Sequence, residues 1–339
     1  MPPPAPQAAA VAPAAAPAAA TAQRPAPEAC PPPPRRPETR CPHGRDGERL
    51  LGGDVAGYEP LRLLRRRECQ NVFLATAPDG GHVALKTTCR DAASDVLARA
   101  RNEAHGLRAA ATHPDTADLA GEGVHHDLHY LASTWQRGLT LHQLLPHLDR
   151  SMAAWSPDSA ELFTHLALAL GHAVEGLHRH GVVHADLSPG NIVLGHGRTL
   201  TLIDLDSCAR DGDPAAAALN RCTTTAYAAP ECLAPRPRPV PTPAADQYSA
   251  AAILHRVLRQ RPHQPATGDR ARTREHRLTH PVQPLTGWPA ALWPDLPETL
   301  RQALDPDPDA RHPTTGHFTA RLRHALTLTT LTTRTGEHP

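Results

Sequence analysis

Three polar side chains suited to catalysis lie close together in the second half of the sequence. Asp186 and Asn191 stand five residues apart, and Asp204 follows after an apolar segment typical of β-strands. A carboxylate can accept the proton of an attacking hydroxyl group, and Mg²⁺ prefers oxygen ligands such as carboxylates and amides. Asp186 is therefore a candidate general base, and Asn191 and Asp204 are candidate metal ligands. The spacing predicts a site that holds a metal ion against phosphate oxygens.

A single lysine stands out earlier in the chain. Of the 35 Lys and Arg residues, Lys86 is the only lysine. In a composition that favours arginine so strongly, a retained lysine indicates a position where a compact ammonium fits and a planar guanidinium does not. Lys86 directly follows a short apolar run and a glycine-containing turn. A lysine at the end of such a strand can bind the α- and β-phosphates of a nucleotide.

The first half of the chain must position Lys86. Short strands are predicted at residues 61–66, 71–77 and 82–87. The sequence Pro-Asp-Gly-Gly at residues 78–81 predicts a hairpin turn before the third strand. A helical pattern follows at residues 91–111, and two further strands precede Trp135. These patterns predict a small sheet with one helix.

The second half is predicted to be mainly helical. Apolar residues recur at helical spacing and predict one core helix: Leu162, Leu166, Leu170, Val174 and Leu177. Further helical patterns lie at residues 243–259, 297–304 and 315–328, whereas the proline-rich residues 260–296 fit no single element. The two halves together predict an α+β fold.

The two ends of the chain are expected to lie outside this fold. Residues 1–50 are rich in proline and alanine, so they bury too little apolar surface to offset the entropy of ordering. We expect order to begin near Tyr58 and the threonine-rich residues 329–339 to fray. The sequence shows neither a secretory signal nor an apolar stretch long enough to cross a bilayer, which favours a cytoplasmic protein.

The composition argues against several kinds of partner and site. The formal net charge is only +1, so no nucleic-acid partner is expected from the overall charge. The seven cysteines are odd in number and form no CxxC pair. Neither a disulfide framework nor a four-cysteine zinc site is therefore expected.

In this order, the motifs resemble the eukaryotic-type protein kinase family, also found in bacteria as Hanks-type Ser/Thr kinases. Residues 184–186 (His-Ala-Asp) resemble its catalytic-loop motif, and residues 204–206 (Asp-Leu-Asp) stand where the family has Asp-Phe-Gly. Residues 229–231 match its Ala-Pro-Glu motif, and Arg311 matches the arginine that pairs with this glutamate. Glu103 matches the glutamate that pairs with the ATP-binding lysine.

The resemblance covers roughly residues 58–328 and implies a bilobal protein-kinase-like fold. The small N-lobe would comprise residues 58–134, and the larger helical C-lobe residues 135–328. The implied activity is ATP-dependent phosphorylation of a protein or peptide hydroxyl, with Mg²⁺ or Mn²⁺ as the metal. The implied catalytic residues are Lys86, Glu103, Asp186 and Asn191. The residues implied to bind the nucleotide are Lys86, Val72, Ala84, Ser133 and Trp135, and Asn191 and Asp204 would hold the metal.

The glycine-rich loop of the family is missing. Its three glycine positions are occupied by Arg65, Arg67 and Gln70. Side chains at these positions keep backbone amides away from phosphates. Three readings stay open: weaker nucleotide binding, phosphate contacts made by the arginine side chains, or solvated arginines with no role.

Other departures concern the catalytic loop and the segment after it. Ala185 replaces the arginine that usually receives a phosphorylated activation loop, so we expect activity without phosphorylation of Thr223, Thr224 and Thr225. Ser188 replaces a lysine that contacts the transferred phosphoryl group in many Ser/Thr kinases. Asp206 replaces a glycine, which predicts a stiffer segment with an extra carboxylate near the metal.

Alternative functions follow from these departures. One is a catalytically impaired pseudokinase that acts as a binding scaffold. Another is a small-molecule phosphotransferase of the aminoglycoside or choline type, although Glu231 and Arg311 favour a protein or peptide acceptor. A third follows from residues 186–191 and 203–206, which look like the kinase domains of lanthipeptide-type synthetases. That reading implies a peptide kinase that works with partner enzymes.

Overall fold

The computed structural model describes residues 47–67, 69–210, 224–236, 238–265 and 269–332. In its first half, an antiparallel sheet of five strands has the order β1-β2-β3-β5-β4, with one helix, α1. These elements are β1 (Glu59–Arg67), β2 (Gln70–Thr76), β3 (His82–Cys89), α1 (Ser94–Ala109), β4 (Leu119–His125) and β5 (Leu128–Thr134). The predicted small sheet with one helix is confirmed.

The alternation of side chains along β3 gives the sheet two different faces. Val83 and Leu85 point into an apolar cluster with Phe73 and Ala132. Ala84 and Lys86 alternate with Val83 and Leu85 along the strand, so they lie together on the opposite face of the sheet. Strand pairing adds four more side chains to that face, because Val72 and Leu131 lie beside Lys86, and Leu74 and Ser133 lie beside Ala84.

The predicted hairpin turn is present between β2 and β3. The amide of Ala77 donates to the carbonyl of Gly81 at 2.8 Å, and the amide of Gly81 donates to Asp79 Oδ1 at 2.8 Å. Gly80 adopts φ 82°, a conformation that glycine tolerates at little cost. This turn fixes the register of β3 and therefore the face on which Lys86 emerges.

The second half is mainly helical, as predicted. Its helices within the described residues are α2 (Leu141–Ser151), α3 (Pro157–Arg179), α4 (Pro243–Arg259), α5 (Arg270–Thr279), α6 (Trp288–Leu292), α7 (Leu296–Ala303) and α8 (Thr315–Thr332). Its strands are β6 (Gly138–Thr140), β7 (Val182–Val183), β8 (Ile192–Gly195), β9 (Leu200–Leu202) and β10 (Ala209–Arg210). The apolar core of this half continues into the first half through Leu107 and Leu131.

Helix α3 forms the centre of this core and leads into the catalytic loop. It begins at a capping box in which Ser156 Oγ accepts from the amide of Ser159 at 3.0 Å, with Pro157 at the first helical position. Leu166 and Leu170 are buried, whereas Leu162 is 41% exposed. The prediction that Leu162 belongs to the core stripe is therefore wrong, because Leu162 lies on the outer face of α3, whereas the neighbouring Ala160 and Phe163 are buried.

The element boundaries differ from several of the predictions. Structure begins before Tyr58, with a 3₁₀ helix at Gly47–Leu50, whereas the rest of the predicted tail lies outside the described residues. Helix α1 starts at Ser94 rather than Asp91. The uninterpreted stretch 260–296 contains α5 and α6. Over the described ranges, no helix combines the length and apolar character needed to span a bilayer.

Candidate active site

Lys86 lies between two carboxylates that come from distant parts of the chain. Its Nζ donates to both oxygens of Glu103 on α1, at 2.6 and 2.8 Å, and to Oδ1 of Asp204 at 2.5 Å. Lys86 is only 9% exposed. A buried ammonium must be paired, and this one is paired twice. The structure therefore brings together three of the predicted site residues in one contact set.

The charges in this set shift the pKa values of its members in different directions. Burial alone would lower the pKa of Lys86, but Asp204 and Glu103 outweigh it and raise the pKa of the ammonium. Burial would raise the pKa of Asp204, but Lys86 and Arg65 hold this pKa well below its usual range. Burial raises the pKa of Glu103 to about 7, against the opposing effect of Lys86. Asp204 is thus the better stabilised anion.

Asp186 and Asn191 lie in the loop between β7 and β8, beside this set. The amide Nδ2 of Asn191 donates to the backbone carbonyl of Asp186 at 2.9 Å. The carboxylate of Asp186 accepts from the backbone amide of Thr224 at 3.2 Å through Oδ1. Asp186 is 6% exposed, so the groups around it control which hydroxyl could reach its carboxylate.

Asp246 of α4 supports the loop that carries Asp186. Asp246 accepts from the backbone amides of His184 at 2.6 Å and Ala185 at 2.9 Å. His178 Nε2 lies 2.9 Å from the same carboxylate. Burial would raise the pKa of Asp246, but these hydrogen bonds and His178 lower it overall, so the carboxylate stays charged. Ala185 has φ 62°, a strained conformation that this support holds in place.

Asn191 and Asp204 have the chemistry of a magnesium site completed by phosphate. The hydrogen bond from Nδ2 of Asn191 fixes the amide plane, and the amide oxygen is the hard ligand that Mg²⁺ prefers. Asp204 adopts φ 68°, outside the usual region for a non-glycine residue. In the described part of the chain, no group of three or more His, Cys, Asp or Glu side chains is arranged for a metal. Mg²⁺ that arrives with nucleotide phosphates needs only one or two protein ligands.

The residues predicted to surround the base of a nucleotide lie on the Lys86 face of the sheet or at its end. Val72, Ala84 and Ser133 share that face through strand pairing. Trp135 follows the end of β5, and its backbone amide donates to the carbonyl of His82 at 3.0 Å. The amides of Trp135 and Thr134 are therefore both engaged within the protein, since the amide of Thr134 donates to the carbonyl of Asp118 at 2.9 Å.

The arginines in place of the glycine-rich loop do not all point to solvent. Arg65 lies in β1, and its Nη2 is 3.4 Å from Oδ2 of Asp204. Arg67 lies two residues further on, and burial lowers its pKa, with Arg65 adding to that effect. Arg65 thus brings a positive charge to the candidate metal ligand. The reading of Arg65 as a solvated side chain without a role does not fit this contact.

Asp206, predicted as an extra carboxylate near the metal, is paired within the protein. Its Oδ2 forms an ion pair with Arg99 of α1, and its Oδ1 accepts from Ser207 Oγ at 2.9 Å. Both carboxylate oxygens are therefore engaged by protein groups. Sequence reasoning missed Arg99, although it lies one helical turn before Glu103 and must share its face of α1.

A second missed residue lies in the stretch 260–296. Arg277 of α5 is 1% exposed and donates to three backbone carbonyls of the segment that follows Thr224. Its Nη2 donates to Thr225 at 2.6 Å and Ala226 at 2.9 Å, and its Nη1 donates to Ala228. No pattern of spacing marks one arginine among so many, so the sequence offered no signal for this contact.

The pair predicted between Glu231 and Arg311 is present. Arg311 donates through Nη1 and Nη2 to the two carboxylate oxygens at 2.7 and 2.9 Å. Its guanidinium also lies over the ring of Tyr248, 5.0 Å from the ring centre. This two-point contact ties residues 229–231 to the body of the second half.

Cys89 and Cys208 are in different chemical states. Cys89 at the end of β3 is disulfide-bonded, and a single bond is not the disulfide framework that the cysteine count argues against. Cys208 carries a free, buried thiol whose pKa burial raises to about 12. Cys208 is therefore poorly suited to thiol-based redox chemistry.

Comparison with known proteins agrees with this geometry. The family model described as the protein kinase domain matches residues 68–322. Serine/threonine-protein kinase PkaA of Streptomyces coelicolor is 30% identical over 275 residues, which cover 78% of this chain and 48% of that protein. Probable serine/threonine-protein kinase PknB of Bifidobacterium longum is 29% identical over 289 residues, or 79% of this chain and 39% of that protein.

A mammalian relative extends the same likeness. Ribosomal protein S6 kinase alpha-1 of Rattus norvegicus is 26% identical over 265 residues, which cover 76% of this chain and 34% of that protein. This chain thus spans less than half the length of these curated relatives. The family model covers most of the chain, and its motifs meet in one site. The chain belongs to the protein kinase domain family.

Proposed function

We propose that this chain is a protein serine/threonine kinase that transfers the γ-phosphoryl group of Mg·ATP to a hydroxyl of a protein or peptide. The observation that carries the proposal is the contact set in which Glu103 and Asp204 hold Lys86. This set supports the proposal because it pairs an ammonium with a carboxylate suited to a metal. The amide of Ile203, next to Asp204, donates to the carbonyl of Asn191 at 3.0 Å, which supports grouping the Asp186 loop with this set. The relatives named as serine/threonine kinases support the same activity.

Each site residue has one role in this proposal. Lys86, oriented by Glu103, binds the α- and β-phosphates, and Asn191 and Asp204 hold the metal through oxygen atoms. Mg·ATP, when bound, supplies the phosphoryl group and a metal that neutralises charge on the phosphates. Asp186 accepts the proton of the substrate hydroxyl as its oxygen attacks phosphorus and the bond to the leaving ADP breaks.

The nucleotide base is proposed to bind on the other side of Lys86. Val72 and Ala84 supply apolar contact on the shared sheet face, and Ser133 is a small side chain at the end of that face. Trp135 lies directly after β5, and its amide is engaged with the carbonyl of His82. We propose Mg²⁺ as the metal because one carboxylate, one amide and phosphate oxygens form a hard ligand set.

A protein or peptide acceptor fits the second half of the site better than a small molecule. Arg277 donates to backbone carbonyls within residues 225–228, and Arg311 donates to the carboxylate of Glu231. This backbone segment lies directly after Thr224, which contacts Asp186. A fixed strip of backbone beside the general base can align an extended peptide.

The proposal is tested by ADP release from Mg·ATP in the presence of serine, threonine and tyrosine peptide pools. We expect turnover with the serine or threonine pools, a requirement for Mg²⁺, and strong loss of turnover in Lys86→Arg, because a guanidinium cannot fit between Glu103 and the phosphates. Wild-type turnover by Lys86→Arg would overturn the role of Lys86. Nucleotide binding without turnover on any pool would instead favour a scaffold.

A further inference from the structure

One face of helix α1 packs against the segment that begins at Asp204. Arg99, Asn102 and Gly106 are spaced by three and four residues, so they lie on one side of the helix. Glu103, which contacts Lys86, is next to Asn102 on the same side. Any movement of this face therefore moves Glu103 as well.

Arg99 and Asp206 form the charged part of this contact. The side chains of Arg99 and Asp206 are 15% and 8% exposed, and they form an ion pair. Asp206 stands where the kinase family carries a glycine, which could not make such a pair. Removing either partner would leave the other charge largely buried and uncompensated. The pair therefore favours the arrangement in which α1 touches this segment.

Asn102 and Gly106 contact the same segment as the ion pair. The Nδ2 group of Asn102 donates to the carbonyls of Asp206 at 3.2 Å and Cys208 at 2.8 Å. A Cβ atom at Gly106 would lie 2.6 Å from the Sγ of Cys208, so only glycine permits this approach. Three positions of α1 thus lie against one short stretch, residues 205–208.

We infer that Arg99 and Asn102 are positioning residues which, through Asp206 and its neighbours, hold α1 where Glu103 can orient Lys86. This inference rests on the proposed kinase activity of the site. The contact joins α1 to the Asp204 segment through one arginine–carboxylate ion pair and the side-chain amide of Asn102. It needs no phosphorylated residue, so it assembles the site in the unmodified chain.

The experiment compares Arg99→Gln, Asp206→Asn, the double variant and Arg99→Lys. Asp206→Asn keeps the size of the side chain, and Asp206→Gly is a second variant that restores the usual family residue. The first readout is amide hydrogen exchange of residues 99–106, and the second is kcat and KM for ATP with protein purified without phosphate groups. The matched control is Arg108→Gln, which breaks the exposed ion pair between Arg108 and Glu122 on the same helix.

We expect Arg99→Gln and Asp206→Asn each to speed exchange in α1 and to lower kcat/KM by about tenfold, the size typical of coupled contacts. The double variant should resemble the single variants rather than multiply their effects. Arg99→Lys should recover most of the loss, and Arg108→Gln should stay within about twofold of wild type, as expected for an exposed pair.

Two results would overturn the inference. One is unchanged exchange in α1 in both Arg99→Gln and Asp206→Asn. The other is a double variant whose losses multiply, since that would mean the two residues act independently. Hydrogen exchange does not require phosphoryl transfer. An inactive wild-type protein would therefore contradict the proposed function, while the exchange data would still decide whether Arg99 and Asp206 hold α1.

Discussion

Arg65 Nη2 lies 3.4 Å from Oδ2 of Asp204, while Lys86 Nζ lies 2.5 Å from Oδ1 of the same carboxylate. Two cations from two strands thus converge on one candidate metal ligand. Arg65 also occupies a position where the family uses glycine to bring backbone amides to phosphates. A guanidinium at this place can bind phosphate oxygens with its own donors.

Arg65→Gln is therefore expected to weaken binding of Mg·ATP by roughly threefold to tenfold, because a partly exposed charged hydrogen bond contributes on the order of 1 kcal/mol. Binding of AMP, which lacks the β- and γ-phosphates, should stay unchanged. Isothermal titration with both nucleotides measures the effect. Arg62→Gln, an exposed arginine of the same strand, serves as control. Tighter or equal binding of Mg·ATP by Arg65→Gln would show that Arg65 competes with the nucleotide or ignores it.

The pH dependence follows from Glu103, whose pKa burial raises to about 7. The carboxylate form is needed to hold Lys86, so kcat/KM for ATP should fall as the pH falls through about 7. The contribution of Glu103 to the free energy of unfolding has the opposite pH dependence. The native state binds the extra proton between the ordinary pKa of 4.5 and about 7, so this contribution is complete below pH 4.5 and is lost as the pH rises through about 7.

Glu103→Gln removes the titrating group and should flatten the acidic limb of the profile at a lower overall rate. Rate profiles of both proteins between pH 5.5 and 8.5, roughly the range over which such a group titrates, measure the difference. An acidic limb of equal position and slope in Glu103→Gln would assign the titration to another group.

Arg277 should matter for the peptide rather than for the nucleotide. It holds the carbonyls of Thr225, Ala226 and Ala228 from a buried position. Arg277→Gln should raise the KM for peptide by about tenfold and leave the KM for ATP within about twofold, since hydrogen bonds to a charged group contribute about 1.5–3 kcal/mol. Steady-state kinetics with each substrate varied separates the two effects. The exposed Arg272→Gln on the same helix is the control, and an equal rise in both KM values would indicate general unfolding.

Replacement of Thr223, Thr224 and Thr225 by alanine should leave activity largely intact. Thr224 contacts Asp186 through its backbone amide, and alanine keeps that group. Thr223 lies outside the described residues. The measurement is the turnover of the triple variant beside that of wild type treated with a phosphatase. An inactive triple variant beside active dephosphorylated wild type would assign the hydroxyl groups a direct role, and loss of both activities would restore a requirement for phosphorylation.

The motifs and their elements were predictable because they depend on local pattern. Lys86 could be singled out by composition, and the turn at residues 78–81 fixed its strand. The roles of Arg65, Arg99 and Arg277 were not predictable in the same way. Their partners lie between about 50 and 140 residues away, and nothing local distinguishes them in a chain whose basic residues are almost all arginine.

The partner of Asp206 was likewise not predictable. The sequence predicts an extra carboxylate near the metal because Asp206 replaces a glycine of the family motif, but it does not predict the ion pair with Arg99. The direction of a side chain at this point depends on α1, which packs against it from more than 100 residues earlier and offers Arg99. Such a choice between two partners is made by tertiary packing and not by spacing.

The most direct test of the proposed kinase activity is the intact mass of the protein after incubation with Mg·ATP and a protein substrate, compared between wild type and Asp186→Asn. The account predicts a mass gain of one or more phosphoryl groups on the substrate or on the chain itself with wild type. It predicts no gain with Asp186→Asn, which keeps its size but cannot accept the hydroxyl proton. Equal mass gains with both proteins would contradict the assignment of Asp186, and no gain with either would contradict the proposed activity.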